Sequence, residues 1–309
     1  MRRPFIAALA ELARREPRVL LLTADLGFSV LETFAEEFGG RFFNVGVAEQ
    51  NLVGVATGLA EAGFVPFTYT IASFASMRPY EFIRNGPVAH RLRVRVIGVG
   101  GGFDYGPAGF THHALEDVGI LRTDPGITVV APADAAQAVA ALRATWDLPR
   151  PVYYRLSKDG EDPLPGLDGR FELGRAQLVS DGTDIVMIAM GGAAFEAAAA
   201  VELLAARGVS CALAVVSSFN PPPAGDLAEI MARFPVALTV EHHFRAGGVG
   251  SLACEVVAER GIACRVVRCA VDGRPDAAVG SGGFLIARHG LDREALAGRA
   301  IAALGPARS

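Results

Sequence analysis

The chain of 309 residues carries 33 acidic and 29 basic side chains, a formal charge of −4 and a pI near 5.9. That balance gives no whole-chain attraction to nucleic acid or to an anionic membrane surface. With 51% hydrophobic and 20% charged residues, the chain has material for two packed cores and is neither disordered nor fibrous.

The N-terminal stretch MRRPFIAALAELARREP reads as an amphipathic helix, because Glu11, Arg14 and Arg15 interrupt the apolar core a signal peptide needs. Residues 18–23 follow as a buried strand. Residues 47–62 place small and apolar side chains at helical spacing until Gly63 and Pro66 break the pattern. Residues 93–99 and 127–131 read as strands, 133–145 as a helix and 152–156 as extended chain. Apolar runs without polar alternation suit a parallel sheet covered on both faces.

Asp, Gly and Pro then dominate, and 159–182 reads as a linker ordered against the surface. A second α/β series follows, with strands at 184–190, 211–217, 236–241 and 264–271. Helices at 193–206, 224–233, 249–259 and 291–304 alternate with them, the last with Asp292 as N-cap. The expected fold is therefore α/β in two tandem domains, 1–158 and 183–309, each a mostly parallel sheet covered by helices. The four cysteines, Cys211, Cys254, Cys264 and Cys269, lie in apolar settings without metal-ligand spacing and read as free thiols in a reducing compartment. No run reaches the roughly 18 apolar residues of a membrane span, so a soluble, cytoplasmic protein is expected.

The segment NVGVAEQNLVGVATGL (residues 44–59) holds the most chemistry. Glu49 is the one carboxylate at the start of an otherwise small and apolar helix, where a backbone or flat ligand can approach closely. A carboxylate there also gains about 0.3–1 kcal/mol from the helix dipole, so a purely structural role is the competing reading. Phe74 would ordinarily be core and Asp25 a cap. The pair His112 and His113 sits in a glycine-rich loop with Gly98, Gly100, Gly101, Gly102, Gly106 and Gly109. No helix pattern follows G-V-G-G-G, which argues against a dinucleotide fingerprint.

GVAEQN (residues 46–51) followed by a small-residue helix resembles the pyrimidine-binding domain of the transketolase family of thiamine-diphosphate enzymes. Thr23-Ala24-Asp25-Leu26, Phe74-Ala75-Ser76-Met77-Arg78 with Glu81-Phe82-Ile83-Arg84-Asn85, and the run GFTHHALED (residues 109–117) agree in order and spacing. The resemblance is strong through 19–117 and collinear through the second domain. It implies that Glu49 hydrogen-bonds N1′ of the cofactor's aminopyrimidine, favouring the imino tautomer that takes the thiazolium C2 proton. It also implies that Phe74 stacks on that ring, with Ile71 supplying apolar contact, and that Asp25 and Leu26 touch the cofactor or its surroundings. His112 would face the substrate and move its hydroxyl proton; His113 has no comparable warrant. Ser29, Arg2 and Lys158 match positions that hold substrate phosphate. Lys158, the only lysine among the 29 basic residues, stands where an arginine would. Gly100 or Gly101 and Ala108 stand where the family uses a histidine and an aspartate.

The family binds its diphosphate through Mg²⁺ held by a GDG motif, and this chain has none. The resemblance thus implies a C-terminal, beta-type subunit of a split transketolase that moves a two-carbon ketol unit from a ketose to an aldehyde. A partner alpha subunit would supply the GDG domain and the Mg²⁺ ligands, and this chain would pair with itself in an alpha2-beta2 heterotetramer. Two other readings stay open at this point: the beta subunit of a 2-oxoacid dehydrogenase E1 component, and a non-catalytic α/β scaffold or regulatory subunit.

Overall fold

The computed structural model describes residues 1–158, 162–273 and 278–305. The first half begins with α1 (Arg2–Arg15), β1 (Val19–Thr23), α2 (Glu32–Glu37), β2 (Phe42–Asn44), α3 (Glu49–Glu61) and β3 (Val65–Ile71). Two short helices, α4 (Ala72–Met77) and α5 (Tyr80–Ile83), precede β4 (Arg95–Val99). Then come α6 (Asp117–Leu121), β5 (Thr128–Val130), α7 (Ala135–Thr145) and β6 (Val152–Leu156). The second half starts with β7 (Ala176–Ser180), β8 (Ile185–Met190), α8 (Ala193–Ala205), β9 (Cys211–Val216) and β10 (Ser218–Asn220). It ends with α9 (Ala224–Met231), β11 (Val236–Phe244), α10 (Val249–Arg260), β12 (Arg265–Val271), α11 (Gly282–Arg288) and α12 (Arg293–Leu304).

The first sheet has the order β10-β5-β6-β4-β3-β1-β2 and is parallel except for β10. The second has the order β12-β11-β8-β9-β7 and is parallel except for β7. Every residue of β1, β3, β4 and β6 is buried, as two-sided coverage requires. Side chains alternate across β1: Val19 and Leu21 pack with α1 and α7, while Leu20 and Leu22 pack with α3. Each such leucine or valine contributes roughly 1.5–3 kcal/mol by leaving water. Asp134, Ser281 and Asp292 cap α7, α11 and α12, each side chain accepting a backbone N–H two or three residues into its helix.

The sequence reading took Gly63 and Pro66 only as a break after the helix, yet Val65–Ile71 form β3, buried throughout and paired with β1 and β4. Two further features depart from it. Residues 176–180 lie inside the expected linker yet form β7, an antiparallel edge of the second sheet. The stretch before it is also packed: Leu164 and Leu167 are buried, and Leu164 N–H donates to Asp134 Oδ2 at 2.8 Å. In addition, β10 leaves the second half to pair with β5, so the two halves share the first sheet.

The seam between the halves is polar. Arg155, at the end of β6, donates through Nε to Asp117 at 2.9 Å and through Nη2 to the Ala114 and His242 carbonyls at 3.0 Å. Burial opposes that charge, but Asp117 holds the Arg155 pKa above its ordinary value. Burial pushes His243 down to about 4, so the ring is neutral and its Nε2 accepts the Gly119 N–H at 3.2 Å. Cys211, Cys264 and Cys269 are buried, and all four thiols are free. Among the described residues no helix is long and apolar enough to cross a membrane.

Candidate active site

Five parallel strands, β6-β4-β3-β1-β2, end along one edge of the first sheet, and the candidate residues follow their carboxyl ends. Glu49 follows β2, Asp25 and Leu26 follow β1, Ile71 ends β3 with Phe74 in α4 directly after it, His112 lies in the loop after β4, and Lys158 follows β6. Ligands of open α/β sheets bind at that edge, because loops there diverge and leave a crevice.

Glu49 is the first residue of α3 and only 1% exposed. Its carboxylate does not close the helix end. Oε1 accepts from Thr70 Oγ1 at 3.0 Å and Oε2 accepts from Arg78 Nη1 at 2.7 Å. Thr70 and Ile71 are adjacent in β3, so the strand that buries Ile71 also aims a hydroxyl at the carboxylate. The Arg78 guanidinium lies over Phe74, 3.7 Å from the ring centroid. Phe74 meets the His112 ring edge-on at 5.0 Å, and Tyr105 stands 6.4 Å beyond His112. Lys158 Nζ sits 5.2 Å from the Tyr105 centroid. Glu49, Arg78, Phe74, His112, Tyr105 and Lys158 thus form one continuous line.

The other candidates flank that line or lie off it. Arg2 Nε donates to the Lys158 carbonyl at 2.7 Å, and the Lys158 N–H donates to Asp104 Oδ2 at 2.7 Å, so the start of α1 is tied to the end of β6. Asp25 is exposed, takes φ +57°, and exchanges two hydrogen bonds with Asn44 at 2.8 and 3.0 Å. With Leu26, whose N–H donates to Thr23 Oγ1 at 3.3 Å, it borders a cleft of about 170 Å³. Ser29 takes φ +63°, gives its N–H to Glu32 at 2.6 Å, and borders a groove with Arg3, Ile6 and Phe34. Among the described residues no contact joins it to His112 or Lys158. His113 is 2% exposed and packs edge-on against Phe103, with Nε2 3.4 Å from the Gly106 carbonyl.

Two residues of the line, Arg78 and Tyr105, and Thr70 beside it had no role in the sequence reading. Tyr105 explains the glycines before it. Gly100 takes φ +82°, and a Cβ there would lie 2.2 Å from the Tyr105 ring. At Gly101 a Cβ would lie 2.6 Å from the Arg155 guanidinium. Neither position has room for an imidazole while Tyr105 and Arg155 stand where they do. Ala108 is exposed at the end of a single helical turn in the same loop.

Comparison with known proteins turns this geometry into a lineage. Residues 1–160 match the family model "Transketolase, pyrimidine binding domain" and residues 174–295 match "Transketolase, C-terminal domain". The chain belongs to the transketolase family. It is 34% identical over 304 residues to one of the subunits of the apulose-4-phosphate transketolase of Phocaeicola vulgatus, covering 97% of this chain and 96% of that one. It is 34% identical over 260 residues to 6-deoxy-6-sulfo-D-fructose transketolase subunit SqwH of a Clostridium species, covering 84% and 81%. The solved structure of a split gene transketolase, an inactive beta4 tetramer, superposes with a TM-score of 0.88 at 33% identity, covering 98% and 97% of the two chains. These relatives are transketolase subunits or split-gene products of about the same length as this chain. The family depends on thiamine diphosphate, and the residues of this transketolase chain fit its aminopyrimidine. A planar group bearing in-plane N–H donors already lies on Phe74 and against Glu49, in the form of the Arg78 guanidinium.

Proposed function

We propose that the chain is the C-terminal, beta subunit of a split transketolase that transfers a two-carbon ketol unit from a ketose to an aldehyde. The observation that carries this reading is the buried Glu49 carboxylate, joined through Arg78 to the Phe74 face and the His112 ring packed on it, in a chain that matches split transketolase subunits over nearly its whole length. Residues 1–158 would form the pyrimidine-binding unit, and the reaction would run in the cytoplasm.

Thiamine diphosphate, when bound, supplies the nucleophile and the electron sink for the transfer. Glu49 would hold the ring nitrogen N1′ and exchange a proton with it. Thr70 keeps one carboxylate oxygen in place, which fixes the direction of the other. Phe74 would carry the ring, with Ile71, Asp25 and Leu26 at its margins. His112 has Nδ1 engaged by Thr111 Oγ1 at 2.9 Å, so Nε2 is the nitrogen to take and return a substrate hydroxyl proton. Lys158 and Arg2 would attract an anionic end of the substrate, Lys158 as a point charge rather than a bidentate fork; Ser29 would join them only if the turn at 27–30 rearranged.

The diphosphate and its Mg²⁺ would be held by an alpha subunit carrying GDG, in an alpha2-beta2 assembly. The surface supports a partner: Val47 is 71% exposed, and Phe43, Met77, Phe82 and Phe110 are also exposed around the candidate site. Apolar side chains gathered in this way mark surfaces that another chain covers.

The substrate is expected to differ from the ordinary transketolase pair. With glycine at 100 and 101 and alanine at 108, a sugar hydroxyl loses a hydrogen bond to a charged partner, worth roughly 1.5–3 kcal/mol. That corresponds to about 10- to 150-fold in specificity. The subunits named above for apulose 4-phosphate and 6-deoxy-6-sulfo-D-fructose support a modified ketose. The test is kcat/KM of the reconstituted enzyme for xylulose 5-phosphate with ribose 5-phosphate, against a panel of other ketoses, 2-oxoacids and aldehydes. The standard pair should rank well below the best substrate; efficient turnover of that pair with nothing better in the panel would contradict the expectation.

A further inference from the structure

Arg78 occupies the two surfaces that the aminopyrimidine would need. One of its nitrogens donates to Glu49 Oε2 at 2.7 Å, and its guanidinium carbon lies over the Phe74 ring, 3.7 Å from the centroid. Oε1 is already bonded to Thr70, so Oε2 is the oxygen left for a ring nitrogen, and Arg78 holds it. Guanidinium and aminopyrimidine are both planar, and N1′ that has taken a proton from Glu49 donates in the ring plane as a guanidinium N–H does, so they are competitors for one place.

We propose that Arg78 is a displaceable stand-in for the aminopyrimidine: it neutralises Glu49 and covers Phe74 in the lone chain, and it releases both as the cofactor loads. This rests on the reading of Glu49 and Phe74 as pyrimidine-binding residues. The physical need is clear from burial. A carboxylate only 1% exposed is strongly destabilising without a partner, and before loading the ring is not there to provide one. The route out is also present. Arg78 lies in the turn between α4 and α5, its side chain is 40% exposed, and its neighbours Met77 and Phe82 are exposed on the same surface. Displacement costs affinity, because a site filled most of the time by Arg78 binds with an apparent Kd raised by the reciprocal of the open fraction. Cofactor loading and covering of the 77–82 surface by a second chain then become linked events, each favouring the outward arginine.

The test uses Arg78→Leu and Arg78→Lys in the full chain, alone and reconstituted with a GDG-containing alpha subunit. Thermal denaturation should show Arg78→Leu lowering the Tm of the lone chain while leaving that of the assembly loaded with thiamine diphosphate and Mg²⁺ unchanged. Calorimetric titration of the assembly with thiamine diphosphate should show binding tightened about tenfold by Arg78→Leu. Arg78→Lys, which keeps the charge without the planar fork, should tighten it less and serves as the readout if the leucine variant does not fold. Binding that is unchanged or weaker in the variants, or equal Tm losses in lone and loaded forms, would overturn the inference while leaving the function intact. Failure of the wild-type assembly to bind the cofactor would instead overturn the functional reading and this inference with it.

Discussion

Glu49→Gln should lower turnover by the assembled enzyme by about 10²–10⁴-fold, the size of a general acid–base contribution. The amide has the carboxylate's shape but cannot exchange a proton with a ring nitrogen. Folding should survive, since the amide oxygen can accept from Arg78 while the Thr70 hydroxyl turns to accept from the amide nitrogen. Steady-state rates, with assembly checked by native mass spectrometry, decide the matter. An assembled variant with near-normal turnover would return Glu49 to a purely structural role.

Asp117→Ala should give the largest loss of stability. Asp117 is fully buried and accepts from Arg155 Nε and from the Tyr153 hydroxyl at 2.8 Å. Its removal strands a buried guanidinium at the seam between the halves, a change that costs about 3–5 kcal/mol. For a chain of this size that corresponds to a Tm lower by roughly 5–8 °C. Asp117→Asn keeps an acceptor and should cost less. If denaturation of the alanine variant shows a loss under about 1 kcal/mol, the ion pair is not what secures the seam.

What the sequence revealed and what it concealed follow from the range of the interactions involved. Glu49 stood out because a carboxylate at the start of a small-residue helix is a local pattern, and Lys158 because it is a lone lysine in an arginine-rich chain. β1, β4, β5 and β6 were legible because burial on both faces makes them apolar without alternation, whereas β3 was not, because Pro66 and the polar Thr68 and Thr70 interrupt its apolar run. Arg78 was visible within its motif, but its part depends on α4 turning it back across Phe74 to a carboxylate 29 residues earlier. Tyr105 had no signal beyond the glycines around it; only the folded loop shows that the space beside Gly100 is already filled. The strand at 176–180 was hidden by the Asp, Gly and Pro residues that precede it. The strand at 218–220 is three residues long and exists through its pairing with β5, which no local periodicity encodes. Ser29 matched by spacing, but a positive φ and the Glu32 bond turn that segment toward α1.

The central claim is that this chain contributes the pyrimidine half of a cofactor site whose diphosphate half belongs to a partner. Calorimetric titration with thiamine diphosphate in the presence of Mg²⁺, first of this chain alone and then of its mixture with a GDG-containing alpha subunit, tests that claim directly. The account predicts no measurable binding by the chain alone and one cofactor bound per alpha–beta pair in the mixture. Tight, Mg²⁺-dependent binding by the chain alone would contradict it.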